Sequence, residues 1–267
     1  MTSRFVIYFA LLSVVGYFYE CLAMTIWAGK WENRGFLFGP AIPIYGAGAT
    51  IGTILFTYFY TSYSYMSVFL ISMAASAILE YVVHYVLEKT FHAYWWDYSM
   101  APLNINGRIC LPASIGFGIA GLIIIYVINP YIMPKLMAMN DETAQLLALI
   151  SVALMSADLT ASVSVISNFI KRVENTENSI NEQMDSFVGS FLDESKAVGN
   201  RFYSAMDKIG EKKRKYIDYR FERIAESYGD MYAHVISGIK GFRGNRYSAR
   251  LNEVLSKVKR KIKRTKE

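Results

Sequence analysis

Charged residues are scarce in the first 170 positions of this 267-residue chain, where only six of its 28 Lys and Arg occur. The other 22 basic residues all lie in residues 171–267. A soluble domain exposes charge along its whole length, so this segregation indicates two regions in two different solvents. We therefore expect a membrane domain at residues 1–170 and a charged helical cytoplasmic tail at residues 171–267.

The chain also lacks motifs that would identify an enzyme. It has no G-x-x-x-x-G-K-[ST] phosphate loop, no H-E-x-x-H sequence and no Ser/His/Asp nucleophile elbow. If ATP drives its activity, the ATPase is therefore a separate chain, and an enzyme is the less favoured class. The two cysteines, Cys21 and Cys110, fall near predicted cytoplasmic helix ends, where a disulfide is not expected. No cofactor and no metal ion are predicted.

Long apolar runs dominate the first 170 residues. A membrane-spanning helix needs about 20 consecutive apolar residues, because each residue adds about 1.5 Å across a hydrocarbon layer about 30 Å thick. Five runs meet this length, at residues 3–28, 43–62, 67–88, 110–128 and 143–170. The prediction is an all-α membrane protein with five transmembrane helices.

The few basic residues of the membrane domain predict its orientation. Four of them, Lys30, Arg34, Lys89 and Arg108, lie in the first and third connections, whereas the N-terminus and the other connections carry only Arg4 and Lys135. Cytoplasmic loops carry an excess of Lys and Arg. We therefore expect a multi-pass protein of the plasma membrane with its N-terminus outside and its C-terminus in the cytoplasm.

The first and third predicted spans end alike, which indicates an internal repeat. Each has a glutamate inside the span, then tryptophan, an Asn/Gly/Arg cluster, and proline at the start of the next helix. The two sets are Glu20, Trp31, Asn33-Arg34-Gly35 and Pro43, and Glu80, Trp95-Trp96, Asn106-Gly107-Arg108 and Pro112. This order predicts two repeated helical hairpins, followed by a fifth helix.

Three segments resemble the signatures of a known family. They are "NRGFLFGPAIPIYGAG", "LEYVVHYVLEKTFHAYWWDYS" and "NINGRICL", in this order along the chain. They are similar to a bacterial integral membrane family, the ABC-transporter type IV permeases of the CmpB type. The resemblance spans roughly residues 16–158 and implies a plasma-membrane protein with a transport function. It supplies no substrate, and the basic tail lies outside it.

The carboxylates and arginines of the repeat form the candidate binding site. Glu20 and Glu80 lie roughly 10 Å inside the cytoplasmic ends of their spans, where a carboxylate must be paired, hydrated or protonated. Arg34 and Arg108 are the expected partners, paired within one hairpin or between the two. Either these pairs only pin the loops to the bundle, or they line a cavity open to the cytoplasm. The positive N-termini of the second and fourth spans would then favour an anion, such as a phosphate headgroup or a carboxylate.

Four further polar residues complete this set. Asn33 and Asn106 lie beside the two arginines. His84 follows Glu80 by one helical turn and is either a hydrogen-bonded packing residue or part of a proton relay. Asp158, in the fifth span, is either a hydrogen-bonded residue between helices or a third acid facing the same cavity.

The tail ends in a sequence with helical periodicity. Residues 250–267 place apolar side chains on one face and Lys and Arg on the other: Leu251, Val254, Leu255, Val258 and Ile262 form the apolar stripe. This pattern predicts a basic amphipathic helix on anionic lipids of the inner leaflet. A solvated terminus is the alternative, and no nucleic-acid partner is predicted.

Three function classes follow from these features. The favoured class is a permease-like or small-molecule-binding membrane component with a polar site at the cytoplasmic side. The alternatives are an enzyme that modifies lipid headgroups, with Glu80 and His84 as acid–base groups, and a membrane scaffold that recruits partners through its tail. The sequence leaves the substrate and the oligomeric state open, and a homo-oligomer is compatible with it.

Overall fold

The computed structural model describes residues 1–28, 35–59, 63–194 and 201–266. Within these ranges the chain is all-α apart from four strands of two residues each. It divides into two compact units. Unit 1 comprises Met1–Val163 with Gly238–Lys240, and unit 2 comprises Ser164–Ser237 with Gly241–Glu267.

Unit 1 contains the apolar helices and three of the short strands. In chain order these are α1 (Thr2–Ala28), α2 (Pro43–Ile54), α3 (Tyr65–Phe91), β1 (Ala93–Tyr94), β2 (Asn104–Ile105), β3 (Ile109–Cys110), α4 (Leu111–Ile123), α5 (Asn129–Ala138) and the first part of α6 (Asp141–Glu194). A π-helical turn follows α2 at Leu55–Phe59, and another follows α4 at Ile124–Ile128. The strands β2 and β3 pair antiparallel, with Asn104 opposite Cys110.

The starts of these helices follow from local sequence. Pro43 and Pro112 lie in the first turns of α2 and α4, where a missing N–H costs no intrahelical hydrogen bond. At the start of α3, Ser64 and Ser67 form a reciprocal capping box. The Ser67 N–H donates to the Ser64 hydroxyl at 3.2 Å, and the Ser64 N–H donates to the Ser67 hydroxyl at 2.8 Å.

Four helical stretches are long and apolar enough to cross a membrane. They are Thr2–Ile26, Tyr65–Phe91, Leu111–Ala138 and the Asp141–Gln183 part of α6. The second predicted span, residues 43–62, is not among them, because α2 and its π-helical turn end at Phe59 and residues 60–62 lie outside the described ranges. The chain is therefore a multi-pass membrane protein with four such stretches in its described part.

A buried polar network ties three helices together in unit 1. The Tyr8 hydroxyl donates to Asn129 Oδ1 at 2.7 Å, and the Thr53 hydroxyl donates to the Tyr8 oxygen at 3.1 Å. Asn129 Nδ2 donates back to Thr53 Oγ1 at 3.0 Å. The network links α1, α2 and α5, and it satisfies polar groups that lipid cannot satisfy.

Unit 2 is a helical unit with its own apolar core. It contains the rest of α6, α7 (Arg201–Met231), most of α8 (Ala233–Gly238), β4 (Gly241–Phe242) and α9 (Ser248–Lys266). Phe169 of α6 packs edge-on against Tyr228 of α7, with ring centroids 5.0 Å apart, and against Phe242. Ile166, Val173 and Phe221 are fully buried in the same unit.

The last helix, α9, corrects one expectation. Leu251, Val254, Leu255 and Val258 are buried, at 3% exposure or less, and α9 packs against α7. The helix is amphipathic as its periodicity indicates, but protein already covers its apolar stripe. This stripe is therefore not available to lie on lipid.

Candidate functional site

A close crossing of α1 and α2 positions the first carboxylate. A Cβ atom added at Gly16 would overlap Tyr45, and one added at Gly46 would overlap Ser13. Only glycine permits this approach of the two backbones. Gly16 lies one helical turn before Glu20, so the crossing brings the Tyr45 hydroxyl to Glu20, and it donates a short hydrogen bond to Oε2.

A tight turn in the loop before α4 positions the second phenol. Asn106 and Gly107 both have positive φ angles, of 54° and 67°, which Asn and Gly adopt at low cost. This turn joins β2 to β3 and lets the Tyr98 N–H donate to the Gly107 carbonyl at 2.8 Å. Trp96 Nε1 donates to the Arg108 carbonyl at 2.9 Å. The Asn-Gly-Arg motif thus builds the loop that carries Tyr98.

Tyr98 contacts Glu80, and the charge of Glu20 also acts on it. Its hydroxyl is 3.4 Å from Glu80 Oε1. Burial raises the pKa of the Tyr98 phenol above its ordinary value, and the charges of Glu80 and then Glu20 raise it further. Tyr98 therefore remains a neutral hydrogen-bond donor. Glu20, Tyr45, Glu80 and Tyr98 together are called the carboxyl–phenol cluster below.

The cluster opens onto a cavity of about 110 Å³ between α2, α3 and α4. Tyr45 and Glu80 form part of its wall, and Ser72 and Ser76 add hydroxyl groups. The other lining residues are glycines and apolar side chains, among them Ile44, Leu79, Phe117 and Ile125. The cavity therefore combines an apolar body with one carboxyl group.

Glu80 is the most unusual group in this cavity. Its side chain is only 5% exposed, and Oε2 has no hydrogen-bond partner among the described residues. An unpartnered carboxyl oxygen in an apolar site costs free energy unless a ligand, water or proton satisfies it. Glu80 is thus a buried carboxyl group on the wall of a mostly apolar cavity.

The sequence predicts that Arg108 pairs with Glu20 or Glu80. In the structure it pairs with neither of them. Its Nη2 and Nε atoms donate to Glu88 Oε2 at 3.0 and 3.3 Å, and Nη1 donates to the Tyr81 hydroxyl at 2.8 Å. Desolvation lowers the pKa of this guanidinium, but the hydrogen bond and charge of Glu88 outweigh that effect, so the pKa is raised. Glu88, the partner of Arg108, lies two helical turns beyond Glu80, near the end of α3.

His84 and Asn106 belong to this second network and not to the cavity. His84 is 2% exposed, its Nε2 lies 3.1 Å from the Trp96 carbonyl oxygen, and its Nδ1 lies 3.6 Å from Glu88 Oε2. Asn106 Nδ2 donates to the Tyr81 hydroxyl at 3.2 Å. These contacts hold the loop against α3. They agree with the interpretation of His84 as a hydrogen-bonded packing residue.

Asp158 binds the segment that precedes α2. Its two oxygens accept the backbone N–H groups of Phe38 and Gly39, each at 2.8 Å. The Ser162 hydroxyl donates to Oδ1 at 3.2 Å. A carboxylate of the protein, Asp158, therefore lies near the start of α2, where the sequence predicts an anion. Asp158 does not line the cavity of Glu80.

A comparison with known proteins identifies the family of this chain. Residues 7–163 match the family described as "Putative ABC-transporter type IV". The chain belongs to this family. No curated protein and no solved structure matches it. The resemblance found in the sequence motifs is thereby confirmed, and the family assignment supports a transport-related membrane protein.

The family match covers unit 1 almost completely and ends where unit 2 begins. All members of the carboxyl–phenol cluster, and the Arg108 and Asp158 networks, lie within the matched residues. Two predicted site residues, Asn33 and Arg34, lie outside the described ranges. Two functional candidates, Tyr45 and Tyr98, were missed by sequence reasoning. The sequence offered one signal for each: Tyr45 lies two residues after Pro43, and Tyr98 lies in the second of the two repeated connections.

Proposed function

We propose that the protein is a permease-like membrane component that binds a small molecule in the cavity between α2, α3 and α4. The observation that carries this proposal is Glu80, which lines the cavity and whose buried Oε2 atom has no hydrogen-bond partner among the described residues. Ligand sites are typically concave and mostly apolar, with a few polar groups that fix orientation. The cavity of Glu80 has this composition.

The chemistry of the cluster favours a ligand that donates hydrogen bonds. Two carboxyl groups and two phenols face one another, and Arg108 is engaged by Glu88. The described residues thus supply no cation for the anion that the sequence suggested. An apolar molecule with an amine or another N–H or O–H group suits Glu80 better, because it would satisfy the buried oxygen.

Two repeated hairpins provide the frame for this site. Leu55, the first residue of one π-helical turn, lies twelve positions after Pro43. Ile124, the first residue of the other π-helical turn, lies twelve positions after Pro112. This equal spacing supports α1–α2 and α3–α4 as copies of one unit.

The proposal keeps five crossings, with α2 and its π-helical turn as the second. The shared influence of Glu20, near the end of α1, and Glu80, in the second half of α3, on Tyr98 supports it, because it favours the ends of both helices on one side of the membrane. With the basic loops taken as cytoplasmic, the cluster lies on the cytoplasmic side, and a separate ATPase chain is the partner if ATP is the energy source.

Mass spectrometry of co-purified small molecules tests the proposed function. We expect a molecule that stays with the gently purified protein and is lost from a Glu80→Gln variant, which removes the charge. It should also be lost from Ser76→Leu, which fills the cavity one turn away. A Glu142→Gln variant, which changes an exposed carboxylate at the start of α6, is the matched control and should retain it.

Two outcomes would count against a binding cavity. One is an identical set of bound molecules in all four proteins. The other is loss from the control as well, because that would mean that retention does not depend on Glu80 or on the free volume beside it.

A further inference from the structure

The cytoplasmic end of the α6 apolar segment carries two adjacent cations. Between Asp158 and Lys171 the helix has no charged residue, and Lys171 is followed directly by Arg172. From Thr143, near the start of the apolar run, to Lys171 the helix rises about 42 Å at 1.5 Å per residue. A bilayer with its headgroup layers is about 40–45 Å thick. Lys171 and Arg172 therefore lie at the depth of the lipid headgroups.

These cations line a pocket within unit 2. Its volume is about 460 Å³, and it lies between α6 and α7. Asn168, Lys171, Arg172 and Asn175 supply one wall, and Ser227, Tyr228 and Tyr232 supply polar groups on the other. Among the described residues, no acidic side chain lines it. The described lining therefore carries a net positive charge and several hydrogen-bond donors.

Both cations lack an acidic partner in the part of the chain that the structure describes. Within the described ranges, neither Lys171 nor Arg172 forms an ion pair, and both side chains are exposed. The Arg172 guanidinium lies over the Tyr228 ring, 5.8 Å from its centroid, which orients it beside the pocket. Burial raises the pKa of the Tyr228 phenol, so that this group stays protonated and able to donate.

We propose that this pocket binds the phosphate group of an anionic phospholipid. An arginine fork, a lysine and amide and hydroxyl donors are the groups that recognise a phosphodiester. The headgroup depth of Lys171 favours a lipid over a soluble phosphate, because the lipid presents its phosphate there at high local concentration. The site is distinct from the cavity of Glu80, since the two share no residue.

The proposal assigns the contact with anionic lipid to a different part of the chain from the one that the sequence indicates. The sequence had assigned it to the apolar stripe of α9, which is buried in protein. At the pocket, by contrast, the side chains of Lys171 and Arg172 are exposed. The lipid contact then depends on Lys171 and Arg172 and not on the insertion of an amphipathic helix.

Lipid retention by the full-length protein in nanodiscs tests the proposal. With equal phosphatidylglycerol and phosphatidylcholine supplied, native mass spectrometry should show phosphatidylglycerol bound preferentially to the wild type. A Lys171→Gln/Arg172→Gln variant should lose this retention by about tenfold or more, since two charge-assisted contacts are removed. An Arg260→Gln/Arg264→Gln variant, with the same loss of charge on exposed positions of α9, should retain the lipid.

Further arms separate a lipid site from its alternatives. Lys171→Arg should retain phosphatidylglycerol, because it keeps the charge. Inorganic phosphate should not displace the lipid, and displacement would overturn the choice of a lipid as the source. Equal binding of the two lipids, or an equal loss in the α9 variant, would overturn the pocket itself. Unchanged melting temperatures of all variants show that the fold is intact.

Discussion

An Arg108→Gln variant should lose about 3 kcal/mol of folding free energy, the lower end of the cost of breaking a buried ion pair. The lower end applies because the side chains of Arg108 and Glu88 keep 13% and 17% exposure. The substitution strands Glu88 near the end of α3 and removes the donor to Tyr81. Reversible unfolding in detergent or nanodiscs measures this loss.

A double-mutant cycle separates the ion pair from the general effect of substitution. Arg108→Gln/Glu88→Gln should recover much of the lost stability, because it leaves no unpaired charge. Lys89→Gln, which removes the one Lys or Arg of α3 from an exposed position, is the control and should change stability little. A coupling energy near zero between Arg108 and Glu88 would mean that the loop before α4 is not held as described.

The second large effect is expected at Asp158. An Asp158→Ala variant removes the acceptor of the Gly39 N–H and one of the two acceptors of the Phe38 N–H, which Ser162 Oγ also accepts at 3.2 Å; it should cost about 1–3 kcal/mol, the cost of one unsatisfied donor. Hydrogen exchange should show faster exchange of these two amides. The rest of α1 and α2 should change little.

Gly39 gives an independent approach to the same contact. A Cβ atom at Gly39 would lie 2.7 Å from Asp158 Oδ2, so Gly39→Ala should also release the segment. Gly116→Ala is the matched control, because a Cβ atom at Gly116 meets nothing within 4 Å. Stability and amide exchange like those of the wild type in both Asp158→Ala and Gly39→Ala would show that this clamp is not formed.

The sequence predicted the helices better than the partners of their polar residues. Apolar length identifies α1, α3, α4 and α6, because the bilayer imposes it. It does not decide which carboxylate Arg108 reaches, since Glu80 and Glu88 lie on one helix face two turns apart and a loop of 19 residues can end beside either one. In the structure a left-handed turn at Asn106-Gly107 directly precedes Arg108, which reaches Glu88.

Two other parts of the structure could not be read from periodicity. An apolar stripe looks the same whether lipid or protein covers it, so the burial of Leu251 and Val258 in unit 2 had no separate signal. Tyr45 and Tyr98 are two of 20 tyrosines, and their role depends on the close crossing at Gly16 and on a long-range loop contact. Such contacts are set by tertiary packing, which one sequence does not encode in a local pattern.

The position of Glu80 on an accessible cavity is the central claim, and carboxyl modification tests it directly. Dicyclohexylcarbodiimide is an apolar reagent that attacks carboxyl groups in apolar surroundings, and peptide mass spectrometry locates the adduct. We expect modification of Glu80, slowed in Ser76→Leu, with Glu88 unmodified because Arg108 holds it as an ion pair. Modification of Glu88 with Glu80 untouched would contradict the account.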